Sequence, residues 1–101
     1  MATGGKRAEV DGRIKAWEQE LGRLRLALAQ GPPALHERFG QRFVALYRAK
    51  EAVKSRWEAV RGVYRPEPGD LTRFEEALHA METAWTAEQS LVSEVLSPRA
   101  G

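Results

Sequence analysis

Glu76 and His79 stand three residues apart, the Glu-x-x-His spacing that sets a carboxylate and an imidazole on one helix face and recurs in carboxylate-bridged di-iron bundles. Such a centre needs the pair repeated and aimed inward. No second Glu-x-x-His occurs, and His36, the only other histidine, lies far away in sequence. An apolar stripe through Leu71, Phe74 and Leu78 also leaves Glu76 and His79 toward solvent. The expectation is a chain without metal or cofactor. Nucleophilic chemistry fares no better. There is no cysteine, and therefore no thiolate nucleophile, thiolate metal site or disulfide. Ser55, Ser90, Ser93 and Ser97 have no histidine and acid close by in sequence. No Gly-x-Ser-x-Gly elbow and no phosphate-binding glycine loop is present. No catalytic residue is assigned, and the expectation is a protein that is not an enzyme and takes no small-molecule substrate.

The remaining chemistry-bearing residues are arginines and lysines, and they are unevenly placed. Between residues 33 and 65 eight of them (Arg38, Arg42, Arg48, Lys50, Lys54, Arg56, Arg61, Arg65) face three acids, Glu37, Glu51 and Glu58, a net of +5. Between residues 69 and 97 Arg73 faces Asp70, Glu75, Glu76, Glu82, Glu88 and Glu94, a net of −5. Opposite segment charges favour packing the two segments together, even though each exposed pair contributes under about 1 kcal/mol. Read instead as a phosphate-tracking face, Arg42, Arg48, Lys54, Arg56 and Arg61 make nucleic-acid binding the alternative function. With a whole-chain net charge of only +2 and no nucleic-acid motif, protein is the preferred partner.

These residues are carried by helices. Gly31-Pro32-Pro33 and the run 65–70 break the chain, because proline cannot donate inside a helix and glycine suits its C-terminal end. The pieces are expected to be helical over about 6–30, 33–64 and 70–96, in one domain spanning 1–101, with disordered ends at 1–5 and 98–101. In the first, Val10, Ile14, Trp17, Leu21, Leu24 and Leu28 recur at alternating steps of four and three, a heptad seam. The second opens with Pro33 at a favourable first position and carries Leu35, Phe39, Phe43, Leu46, Val53, Trp57, Val60 and Tyr64, a face wide enough for two neighbours. The third, with Asp70 as N-cap, carries Leu71, Phe74, Leu78, Met81, Trp85, Val92 and Val95, interrupted by Glu88. No stretch has strand periodicity.

The fold class expected is all-α: three long amphipathic helices in an antiparallel up-down-up bundle with coiled-coil-like packing, since short links make successive helices antiparallel. Treating both turns as simple hairpins puts Ile14, Ala49 and Trp85 in one layer, Trp17 beside Leu46, and Glu88 near Tyr47 within reach of Lys50. Gly12, Gly22, Gly40 and Gly62 each cost a helix about 1 kcal/mol relative to alanine. Gly22 and Gly40 come level with one another, which points to a close approach of the first two helices or to a local kink.

In that register the second and third helices overhang the first, which ends its seam at Val10. The overhang carries Trp57, Val60, Tyr64, Leu71 and Phe74, an aromatic-rich patch of the kind that mediates association. It closes as ordinary core if the first helix starts earlier. The function expected is a non-enzymatic interaction or assembly protein that self-associates or serves as a subunit of a larger complex through these five residues. No apolar run reaches the roughly 20 residues of a membrane span, so no membrane partner is expected, and the location is read as cytoplasmic or nuclear.

Overall fold

The computed structural model describes residues 2–96, with side chains from Arg7 onward. All three elements are α-helices: α1 (Ala2–Gln30), α2 (Pro33–Val60) and α3 (Pro68–Leu96). No strand occurs among the described residues. Together they make a rod of 53 × 24 × 19 Å. The expected disordered end at 98–101 lies outside the described residues.

The core follows the spacing. All six seam residues of α1, from Val10 to Leu28, are buried, and with Phe39, Leu46, Val53 and Val60 of α2 and Phe74, Met81 and Val92 of α3 they complete the apolar interior. Ile14, Trp17, Val53, Val60, Phe74 and Met81 form one cluster, against which both Ala49 and Trp85 pack. Leu21, Leu24, Phe39, Leu46 and Val92 form the other, so Trp17 and Leu46 fall in different clusters.

The ends of the helices differ from expectation in three places. α1 is helical from Ala2, inside the stretch expected to be disordered. α2 stops at Val60 rather than near residue 64, because Gly62 is not a helical glycine. Arg61 at φ −65° and ψ 123° and Gly62 at φ 77° are the two central residues of a turn closed by the Val63 N–H on the Val60 carbonyl at 3.2 Å. These are the angles of a type II turn, whose third position needs the left-handed backbone that glycine adopts freely. α3 starts at Pro68, so Asp70 lies within the first turn and is not the cap. The Glu67 carbonyl accepts from the Asp70 and Leu71 N–H groups at 3.0 and 3.1 Å, and the Asp70 carboxylate accepts from Arg73.

Moving both helix ends toward the N-terminus shifts the pairing across the second turn by about one helical turn. Trp57 meets Phe74, ring centroids 4.9 Å apart, and Glu88 comes to Arg42 at 3.5 Å instead of to Lys50. The Glu88 Oε2 atom is buried and accepts no hydrogen bond. Lys50, 4% exposed, turns the other way, toward Glu51 and Glu18 with its ammonium 4.5 Å from the Tyr47 ring centroid.

Candidate interaction surface

The early start of α1 decides the fate of the expected patch. The helix runs past Val10 to the α2–α3 turn, where the Arg7 guanidinium lies 3.8 Å from the point a Gly62 Cβ would occupy. Val60 and Phe74 are core residues, 6% and 3% exposed. Trp57 is half-buried and held on both sides: its ring lies on Phe74 and its indole N–H donates to Asp11 Oδ1 at 2.7 Å. Of the five, only Tyr64 and Leu71 are exposed, with Val63 beside Tyr64 and the Arg65 guanidinium over the Tyr64 ring. The structure thus separates the five into a packed triad and two surface residues. The missed signal was that Ala2 and Thr3 extend the helix through Gly4-Gly5, a pair that local propensity disfavours.

The cations of α2 divide in the same way. Arg61 forms a forked pair with Asp11, Nε and Nη2 donating at 3.0 and 2.8 Å, and Lys54 donates to Glu18 at 3.1 Å. These contacts lower the Asp11 carboxyl to about 2, first through the Arg61 hydrogen bonds and then through Trp57. They also hold Glu18 below its ordinary value, chiefly through Lys54, and raise Lys54 in turn. Arg42 is with Glu88. Of the five cations proposed as a phosphate face, Arg48 and Arg56 alone form no ion pair among the described residues, and a dispersed pair of arginines is not a backbone-tracking stripe.

Two concavities line the α1–α2 seam. One, of about 390 Å³, is the polar latch itself, bounded by Asp11, Glu18, Lys54, Trp57 and Arg61. The other, of about 960 Å³, opens between the end of α1 and the start of α2 and is mainly apolar. Leu28 and Ala29 come from α1, Gly40, Phe43 and Val44 from α2, and Arg25 and Arg48 lie on opposite helices at its walls. Gly40 helps make the hollow. A Cβ there would meet only the His36 ring, at 3.4 Å, and one at Gly22 would meet nothing within 4 Å. Neither Cβ position meets the other helix within 4 Å, so the close approach of α1 and α2 expected as one reading of these glycines is not seen at them.

Glu76 and His79 are both exposed, as are Ser55, Ser90 and Ser93, while Ser97 lies outside the described residues. Among the described residues no three acidic or histidine side chains gather where a metal ion could be held, and no helix is long and apolar enough to cross a membrane. No protein-family model matches the chain, and neither the curated proteins nor the solved structures contain a match.

Proposed function

We propose that this chain is a non-enzymatic interaction protein, a subunit that recruits or assembles with protein through the open part of its α1–α2 seam. The scaffold is read as an antiparallel up-down-up bundle with coiled-coil-like packing. Its support is the cross-helix pairing: Asp11 with Arg61 and Glu18 with Lys50 on one side, Arg42 with Glu88 and Trp57 with Phe74 on the other, residue numbers rising on one helix as they fall on the next. The cysteine-free composition suits a reducing compartment, and the cytoplasm is where we place the interaction.

The observation that carries the reading is the 960 Å³ apolar groove, left open by the same two helices that are latched together farther along. Phe43 is only partly buried and stacks on Tyr47, which is 46% exposed, as Val44 is 44% exposed. Large side chains gathered beside a concavity are what a partner buries. Tyr64 and Leu71, near the α2–α3 turn, are also exposed. A photoreactive residue at position 44, introduced in cells, tests the reading. The expected outcome is a discrete protein adduct that purified components reproduce and that Gly40→Leu removes. Adducts to nucleic acid, or none at all, would overturn it.

A further inference from the structure

The groove's lining is mainly basic, with two arginines against one acid. Arg25 stands on α1 and Arg48 on α2, and among the described residues neither forms an ion pair, whereas Lys54 and Arg61 in the latched part each hold a carboxylate of α1. Glu37 is the one acid in the lining. Between these walls lies the apolar floor of Leu28, Phe43 and Val44. From His36 to Arg48 the groove follows thirteen residues of α2, about 18 Å at helical rise, or roughly three turns.

We propose that this groove binds an acidic amphipathic helix of about three turns from a different protein, a reading that rests on the interaction role above. A trough between two packed helices is the shape a third helix fills by setting its side-chain ridge into theirs. The floor calls for apolar anchors at i, i+3 or i+4, and i+7. Arginines on both walls call for Asp or Glu flanking that stripe on either side, in the forked geometry guanidinium groups favour. Nucleic acid fits less well, since phosphates would meet two separated guanidinium groups across an apolar floor that they cannot use. A second copy also fits less well. Its acidic helix, α3, exposes Thr72, Glu75, Glu76, His79 and Thr83 on its outer side, acids without a large apolar ridge between them.

The test uses a display library of single helical peptides with a fully randomised three-turn window, selected on the intact chain and counter-selected on Gly40→Leu. That variant fills the hollow while improving helix propensity, and circular dichroism confirms that its helicity is kept. Enriched sequences are expected to be acidic with an apolar i, i+3/i+4, i+7 stripe. A synthetic peptide of their consensus should bind the intact chain, lose affinity at least about tenfold against Arg25→Glu with Arg48→Glu, and lose it further in high salt. Enrichment of neutral or basic helices that still depend on Gly40 overturns the acidic occupant and leaves the interaction role standing. No enrichment, or enrichment indifferent to Gly40→Leu, overturns both. Light scattering supplies the remaining arm: a concentration-dependent dimer dissolved by Gly40→Leu makes the occupant a second copy and overturns the proposal.

Discussion

The two ends of the α1–α2 seam are built from the same helices and behave as opposites. Toward the start of α1, Asp11 and Glu18 each take a cation from α2, and Trp57 donates to Asp11 across the boundary, so polar side chains close the surface over the core. Toward the end of α1 no ion pair crosses to α2 among the described residues, Gly40 withholds a side chain, and the surface stays concave. Beneath both, the interior is equally dry: Val53 and Met81 are fully buried under the first region, Phe39 and Leu24 under the second. Openness at the surface is therefore not weakness in the core. The largest effect expected from any single change tests this point. Phe39→Ala should cost about 3–5 kcal/mol in urea denaturation, as for any fully buried aromatic. A loss under about 1 kcal/mol would mean that the open end is loosely packed and that the groove is a fraying seam.

The next effect concerns how the latched end is set up. Arg61 reaches Asp11 because the chain leaves α2 at Val60 and turns at Gly62, whose positive φ costs an alanine about 1–2 kcal/mol. Gly62→Ala should destabilise by that amount, measured as a fall in denaturation midpoint at unchanged slope. A neutral result would mean that the turn has no left-handed residue and that α2 continues, as its apolar spacing through Tyr64 suggests.

That turn also marks where legibility ends. Helix identity and core were readable because steps of three and four are a local property of the chain: every α1 seam residue is buried, and Pro33 opens α2 as expected. Helix ends were not, since Gly62 can be a tolerated helical glycine or a turn residue, and Asp70 can cap a helix or sit in its first turn. Those few residues moved the register, and with it the partner of Glu88. The groove was not legible at all. Gly22 and Gly40 stand out in the sequence as helix-interior glycines, but whether two level glycines face each other or face water depends on the rotation of each helix about its axis. No spacing in one helix reports that.

Gly22→Ala sharpens the same distinction on a smaller scale. A methyl at position 22 meets nothing within 4 Å, so the substitution should stabilise by about 0.5–1 kcal/mol through helix propensity alone. Destabilisation instead would place α1 in contact with a neighbour there.

The smallest effect expected is electrostatic and belongs to the latched end alone. Asp11 is partly exposed, so its pairing is screened by salt and its contribution is modest. Its sign is nevertheless fixed. Arg61 and Trp57 lower the carboxyl from 3.8 to about 2, so the folded state binds its proton less readily than the unfolded chain does. The stabilisation is then fully present above the unfolded value and is lost as pH falls from about 4 through about 2. Glu18, lowered by Lys54, adds to the loss in an overlapping window that opens slightly higher, below its ordinary 4.5. Asp11→Asn should therefore unfold more readily than the unsubstituted chain at neutral pH and match it near pH 2, with the gap narrowing in high salt. Arg25→Gln and Arg48→Gln, at the open end, should show no such pH-dependent gap, because neither cation pairs with a carboxylate among the described residues. A gap that persisted at pH 2 would trace the Asp11 effect to packing around Trp57, and the latch would then be steric rather than ionic.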